Sequence, residues 1–256
     1  IDSTGNVYNT LDEAMEHAAS VDTIYLGEGI YCGNAKHPTE QNPALAFGEP
    51  GKEKMKSLTF VGAGTGETTW QIRALDPPAN KSDGPCDYSF DGCDRITFEN
   101  MTMVGSVYQD ETKRAEYRQG FARIQHVTLK NCILNGMASY WGYDTTVFEN
   151  VTFNAPGTKA SGISVVDYSL WTYTGKSCTF KNCTFNSAGK TINVYRHGDP
   201  GYDVTVNFES CTANTTAHKK QVMKIDDSYM GNSKFILKIS GDNKVNGVEP
   251  EKGNGV

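Results

Sequence analysis

Hydrophobic and polar positions follow one template in five short segments of the chain. In each segment, apolar and polar residues alternate, a charged residue and then Asn or Ser follow, and a second alternating run begins at once. The segments are ITFENMTMV at 96–104, VTLKNCILN at 127–135, TVFENVTFN at 146–154, CTFKNCTFN at 178–186 and VNFESCTAN at 206–214. Alternation with a period of two predicts β-strands that bury one face. A template that recurs at this spacing indicates a repeat architecture.

The first half of each segment predicts two inward columns of stacked side chains. One column is Ile96, Val127, Thr146, Cys178 and Val206, and the next is Phe98, Leu129, Phe148, Phe180 and Phe208. The alternation then changes phase, because an apolar residue directly follows the polar one. The chain must therefore bend at Asn100, Asn131, Asn150, Asn182 and Ser210. Asn suits such a bend because it tolerates the left-handed conformation, and stacked Asn side chains can hydrogen-bond to one another.

The bends are too far apart for tight hairpins, and each interval holds one turn of three short strands. Parallel coils with long crossovers keep the inward columns aligned, so the fold class is predicted to be all-β, a single-stranded right-handed parallel β-helix. The sequence TLDE at residues 10–13 is a capping box and predicts a short amphipathic helix over about 10–19 that covers the first coil. We expect one domain over residues 1–243 and a polar C-terminal linker over 244–256.

The composition excludes several classes of function. The net charge is −6, and the only basic cluster is the short pair Lys219 and Lys220, which disfavours nucleic acid as a partner. No apolar run is long enough to span a membrane. The five His residues are scattered and no Cys-x-x-Cys pair occurs, so neither a metal site nor a cofactor is expected.

The opening coils, TLDEAMEHAASVDTIYLGEGIY and LTFVGAGTGETTW, make the chain resemble the pectin-lyase-like superfamily of right-handed β-helices over about residues 7–243. That resemblance implies the fold more than an activity, since the superfamily holds lyases, hydrolases, esterases, tailspikes and adhesins. The repeats are also similar to β-helix modules in large surface proteins of Gram-positive gut bacteria. Some of those modules bind host glycans or immunoglobulins.

Three further segments, 163–167, 192–196 and 223–227, align as third strands and place Asp167, Arg196 and Asp227 on successive coils, with Asp226 beside them. One interpretation is an acid–base site, since related lyases use an Arg base and related polygalacturonases use paired Asp with His. The simpler interpretation is pairing of opposite charges between neighbouring strands. The order of Arg196, His197 and Asp226 differs from the polygalacturonase pattern, and the calcium-binding acids of the lyases are missing.

Aromatic residues gather at or just after the same third strands. They are Tyr140, Trp141, Tyr143, Tyr168, Trp171, Tyr173, Tyr195, Tyr202 and Tyr229. The inward columns already fill the core, so we expect many of these rings to lie on the surface. Clusters of exposed Trp and Tyr are typical of binding surfaces. The alternative is that some of the rings only pack beneath loops.

Two cysteine pairs leave their redox state open. Cys183 and Cys211 share an inward column on adjacent coils, where stacked thiols are favoured over a disulfide because stacked side chains rarely meet disulfide torsions. Cys86 and Cys93 lie in a loop that a disulfide could close.

The sequence therefore predicts a non-catalytic, adhesin-like module of a secreted or surface-exposed bacterial protein. It would bind a host glycan or a host protein such as immunoglobulin through the aromatic residues and Arg196. We expect a monomeric module of a larger chain that does not insert into a membrane. The alternative is a carbohydrate-active enzyme, a lyase or hydrolase of an acidic polysaccharide, with Arg196 binding a uronate and Asp167, Asp226 or Asp227 as acid or base.

Overall fold

The computed structural model is a parallel β-helix, which confirms the predicted fold class. It describes residues 1–17, 22–32, 45–46, 56–71, 86–89, 93–104, 119–135, 138–154, 170–187, 192–195, 198–215, 223–226 and 230–251. Every named strand pairs in parallel with strands of the neighbouring coils. In these residues no helix has the length and apolar character needed to cross a membrane.

Each coil contributes to three ladders of strands. The first ladder contains β1 (Asp22–Leu26), β4 (Lys56–Gly62), β7 (Cys93–Glu99), the C-terminal parts of β9 (Gln119–Lys130) and β11 (Ala138–Glu149), β14 (Ser177–Lys181), β17 (Val204–Glu209) and β20 (Phe235–Ser240). The second contains β2 (Gly29–Cys32), β5 (Thr68–Gln71), β8 (Thr102–Val104), β10 (Ile133–Asn135), β12 (Thr152–Asn154), β15 (Thr184–Ser187), β18 (Thr212–Thr215) and β21 (Lys244–Val245). The third contains β3 (Leu45–Ala46), β6 (Cys86–Ser89), the N-terminal parts of β9 and β11, β13 (Leu170–Thr174), β16 (Ile192–Tyr195) and β19 (Met223–Asp226). Because β9 and β11 run through both, the first and third ladders form one sheet.

The bends between the first and second ladders adopt the left-handed conformation that the sequence predicts. The φ angles are 57° at Asn100, 52° at Asn131, 54° at Asn150, 50° at Asn182 and 54° at Ser210. Each bend also donates its backbone N–H to the next coil, as Asn131 does to the Glu149 carbonyl at 2.9 Å and Asn150 to the Lys181 carbonyl at 2.9 Å. Every coil is therefore tied to its neighbour at the point where the chain turns.

Glycine stands at the bend position of the coil before Asn100. A Cβ on Gly62 would approach the carbonyl oxygen of Asn100 to 2.5 Å, a distance that real Cβ atoms do not adopt. The coils thus pack so closely at this corner that this position excludes any side chain.

Asparagine side chains form two hydrogen-bonded columns. At the bends, Asn150 Nδ2 donates to Asn131 Oδ1 at 2.9 Å. The longer column lies at the ends of the second-ladder strands, where each amide donates to the preceding coil. Its bonds run from Asn154 to Asn135 at 2.8 Å, from Asn186 to Asn154 at 2.9 Å and from Asn214 to Asn186 at 2.9 Å.

The core consists of the predicted inward columns. Ile96, Val127, Thr146, Cys178 and Val206 are all fully buried, as are Phe98, Leu129, Phe148 and Phe180. The rings stack face to face, with centroids 5.1 Å apart for Phe148 and Phe180 and 4.9 Å apart for Phe180 and Phe208. A third column in the second ladder stacks Phe153 on Phe185 at 5.1 Å. Like rings on successive coils thus pack against one another along the core.

Cys183 and Cys211 are free buried thiols, as favoured above. Each Sγ donates to a carbonyl of an earlier coil, Cys183 to Phe148 at 3.4 Å and Cys211 to Phe180 at 3.4 Å. Burial raises the pKa of Cys183, and it raises the pKa of the equivalent Cys132 to about 11. The Cys183 and Cys132 thiols therefore remain protonated, and all three cysteines pack as small apolar groups. The side chains of Cys86 and Cys93 lie outside the described residues.

The N-terminal end of the stack is covered by two elements. The predicted helix is α1 (Leu11–His17), and Thr10 Oγ1 accepts from the Glu13 amide at 3.1 Å. Residue 2 pairs with Ile24 in an antiparallel bridge along the outer edge of β1. Asp2 is buried and accepts hydrogen bonds from Tyr8, from Thr4 and from the backbone and side chain of Asn6. Sequence reasoning found the helix but not this edge-covering segment.

Substitution Phe180→Ala tests the core columns. Phe180 is 0% exposed and contacts rings on both neighbouring coils, so we expect a loss of about 3–5 kcal/mol in the free energy of unfolding. Chemical denaturation measures it, with Ile236→Ala at an exposed position of β20 as a control that should change stability by only about 0.5 kcal/mol. A loss below about 1 kcal/mol for Phe180→Ala would contradict the column assignment.

Substitution Asp2→Asn tests the N-terminal cover. The hydrogen bond from Tyr8, followed by that from Asn6, holds the pKa of Asp2 well below its ordinary 3.8. The folded state therefore keeps the carboxylate ionised, and its contribution to stability is complete above pH 3.8 and is lost as the pH falls further. In urea titrations at several pH values, the stability gap between wild type and Asp2→Asn should shrink from pH 5 towards about pH 2. If the difference in stability between wild type and Asp2→Asn were independent of pH, the charge of the carboxylate would not contribute to stability.

Candidate functional site

The aromatic positions of the third ladder align across three coils. Trp141 pairs with Tyr173, Tyr173 pairs with Tyr195, and Tyr195 pairs with Asp226. Trp171 lies two positions before Tyr173 and pairs with Ser139 and Asn193. We call Trp141, Trp171, Tyr173 and Tyr195 the aromatic ladder positions.

The other predicted site residues fall into three groups. Tyr140 is in register with Thr172 and Val194, one column away from the aromatic ladder positions, and Tyr143 lies in an irregular part of β11. Tyr202 is 39% exposed and lies between β16 and β17. Asp167, Tyr168, Arg196, Asp227 and Tyr229 lie outside the described residues.

The predicted alignment of the third strands is correct on one side only. Ile192–Tyr195 pairs with Met223–Asp226, as expected, but its other neighbour is the segment 170–173 rather than 163–167. Both segments carry a similar apolar alternation, so sequence matching alone did not separate them. The segment that pairs belongs to β13, and only Gly175 and Lys176 separate β13 from β14. Ile192 thus pairs with Leu170 and not with the segment 163–167, while Asp167 and Arg196 themselves lie outside the described residues.

An alternating charge ladder does occur, but at the residue before each bend in the first ladder. In register along the axis it reads Glu99, Lys130, Glu149, Lys181 and Glu209. The last pair approaches to 3.5 Å between Lys181 Nζ and Glu209 Oε1. The signal was present in the template, whose charged position changes sign from each coil to the next.

A second group of polar side chains lies where the first and third ladders meet. Four of these side chains approach one another. His126 Nε2 is 3.9 Å from Asp94 Oδ1 and 3.8 Å from Asp144 Oδ2, and Lys176 Nζ is 2.9 Å from Asp144 Oδ1. We call Asp94, His126, Asp144 and Lys176 the bulge cluster. The hydrogen bond that Lys176 donates to Asp144 raises the pKa of Lys176, so this ion pair persists over the neutral range.

Register shifts in the sheet bring the two carboxylates of the bulge cluster towards His126. Lys56 and Ser57 are adjacent in β4 but pair with Cys93 and Arg95 of β7. Asp94 is therefore an extra residue of β7. Between Gly142 and Thr145, β11 has two residues where β9 has one, and Asp144 is the second of them. Bulges of this kind re-aim side chains and are common beside functional sites. No sequence pattern predicts these bulges, and in the sequence His126 is only one of several scattered His residues.

The loop that carries Tyr202 is fixed to the next coil by Asp199. Asp199 accepts from the Gly201 amide at 2.9 Å, the Asn232 amide at 3.0 Å and the Ser233 hydroxyl at 2.5 Å. These hydrogen bonds, that from Ser233 first, lower the pKa of Asp199. Tyr202 is thus exposed on a loop that Asp199 ties to the next coil.

Within the residues that the structure describes, no group of His, Cys, Asp or Glu is arranged to hold a metal ion. Neither a protein-family model nor a curated protein sequence matches this chain.

Substitution Lys130→Glu tests the charge ladder. It places a third Glu in register between Glu99 and Glu149, so two favourable neighbours become repulsive, and we expect a loss of about 1–2 kcal/mol in the free energy of unfolding. The neutral variant Lys130→Gln should lose less, and high salt should narrow the gap between the two variants because it screens exposed charges. Equal stability of the two variants at low salt would show that the alternation is energetically neutral.

Proposed function

We propose that this chain is a non-catalytic, ligand-binding β-helix module of a bacterial surface or secreted protein. In this proposal it binds a host glycan or a host protein such as immunoglobulin, and it is a divergent member of the pectin-lyase-like superfamily. The observation that carries the proposal is the in-register alignment of Trp141, Tyr173 and Tyr195 on three successive parallel strands.

Register supports placing this column on the outer face of the sheet. Val194 is fully buried and directly precedes Tyr195 in β16. Successive residues of a strand belong to opposite faces, so the column of Tyr195 belongs to the face opposite that of Val194. Trp171, two residues before Tyr173, belongs to the same face as Tyr173.

The spacing of the column suits an elongated ligand. Adjacent parallel strands lie about 4.8 Å apart, so three aligned aromatic positions extend over about 10 Å along the axis. Aromatic side chains on rigid strands lose little conformational entropy on binding and bury a large area. A sugar chain or the edge of a protein partner could both use such a surface.

A second candidate is an enzyme acting on an acidic polysaccharide. It is favoured by one observation: two carboxylates, Asp94 and Asp144, flank the same nitrogen of His126 from neighbouring coils. Paired carboxylates are the usual equipment for acid–base cleavage of glycosidic bonds. Incubation with polygalacturonate and other uronans, with reducing ends and unsaturated products followed over time, distinguishes this candidate, because a binding module gives no product.

The double variant Trp141→Ala/Trp171→Ala tests the binding surface. Wild type is screened against glycan arrays and immobilised host proteins, and the affinity of each variant is measured for the ligand found. Loss of two central aromatic residues should weaken binding by about 2 kcal/mol or more. Tyr25→Ala, which removes a 52% exposed ring at the N-terminal coil, is the matched control and should bind like wild type. Unchanged binding by the double variant would place the ligand on another face.

A further inference from the structure

We infer that the bulge cluster is a polar subsite that binds the hydroxyl groups of a neutral sugar. This inference rests on the proposed function and narrows its ligand to an uncharged glycan. It joins two observations: the register shifts that place Asp94 and Asp144 beside His126, and the Nε2 atom of His126, which lies between them and has no hydrogen-bond partner among the described residues.

His126 is held in place through its other nitrogen. Its Nδ1 is hydrogen-bonded to Thr145 Oγ1 at 2.8 Å, and the side chain is 20% exposed. The Nε2 atom faces carboxylate oxygens at 3.8 and 3.9 Å, beyond the reach of a hydrogen bond to either. Among the described residues, this nitrogen is thus positioned and partly desolvated with its hydrogen-bonding capacity unused.

A hydroxyl group of a ligand matches this gap. Its oxygen can accept a hydrogen bond from Nε2–H while its own proton is donated to a carboxylate, so it bridges the 3.8–3.9 Å separation that is too long for a direct hydrogen bond. Asp94, whose side chain is 39% exposed, has only the long contact to His126 among the described residues and can accept from a second hydroxyl of the same sugar. Hydrogen bonds to a charged acceptor are stronger than those between neutral groups.

The charge of the cluster selects against acidic ligands. Lys176 is engaged by Asp144 at 2.9 Å, and the only basic side chain among the described residues within 4 Å of the Asp94 carboxylate is the imidazole of His126. A uronate or phosphate bound here would lie beside that carboxylate and be repelled. The subsite therefore favours neutral sugars, in contrast to the acidic substrate of the second candidate function.

The cluster lies within reach of the aromatic ladder positions. Asp144 follows Trp141 by three residues in β11, and Lys176 follows Tyr173 by three residues. Three residues of extended chain span about 10 Å. The side chains of Asp144 and Lys176 are 26% and 66% exposed, so both can be reached from solvent, and we infer that one short oligosaccharide spans the aromatic ladder positions and the bulge cluster.

The test uses the intact chain on an array that carries neutral and uronate-containing oligosaccharides, with immobilised host proteins alongside. We expect wild type to bind a neutral glycan, and Asp94→Asn to bind it at least tenfold more weakly, equivalent to about 1.4 kcal/mol. His126→Gln should show a similar loss. The control Asp242→Asn makes the same chemical change at an exposed carboxylate near the C-terminal end and should bind like wild type. Thermal unfolding of each variant confirms that it folds. If His126→Gln does not fold, Asp94→Asn still tests the subsite, because Asp94 is at a partly exposed position.

The possible failures are distinct. Binding of a neutral glycan that Trp141→Ala/Trp171→Ala abolishes but Asp94→Asn leaves unchanged would overturn the subsite and keep the proposed function. Binding only to a host protein, or preferential binding of uronates, would do the same. Wild type that binds none of the glycans or host proteins would count against both the proposed function and the subsite.

Discussion

The hydrogen bond that each left-handed bend donates to the next coil is the constraint on which the rest of this structure depends. With φ near +50° at Asn131 and Asn150, the strands on both sides of the corner direct alternate residues inward, although the alternation changes phase there. The bond from the bend amide then fixes the neighbouring coil in register. Only with that register do phenylalanine rings stack on rings and Glu lie beside Lys. Side-chain packing, electrostatics and the candidate site all follow from one backbone arrangement repeated along the axis.

Sequence alone predicted the parts of the molecule that repeat. The phase change at Asn100 and Asn182 required a bend, a bend that preserves inward columns required parallel coils, and both were found. The third ladder was predicted less well because it lies between loops of unequal length, where the repeat gives no register. There, two segments with similar alternation, 163–167 and 170–173, compete for one place, and only the lateral pairing of Ile192 with Leu170 decides between them.

The bulge cluster could not be predicted for a different reason. Three of its four members, Asp94, His126 and Asp144, are far apart in sequence and belong to no shared motif, and they meet because one extra residue in each of two strands shifts the pairing. Such a shift is a property of two strands together and leaves no mark in either one. The regular coils supply a rigid framework, and the bulge cluster lies where that regularity is interrupted. This division is common in proteins whose local rules agree except at a site of function.

The column of asparagines from Asn135 to Asn214 gives the molecule a direction as well as cohesion. In every bond the amide of the later coil donates to the carbonyl oxygen of the earlier one, so the side-chain dipoles add head to tail along the axis. Each bond polarises the next, and the column is stronger than the same bonds would be in isolation. An interior amide such as Asn154 both donates and accepts, whereas a terminal one does only one of these. The column therefore behaves as one long dipole along the axis, and removal of an amide from its middle would leave two short dipoles.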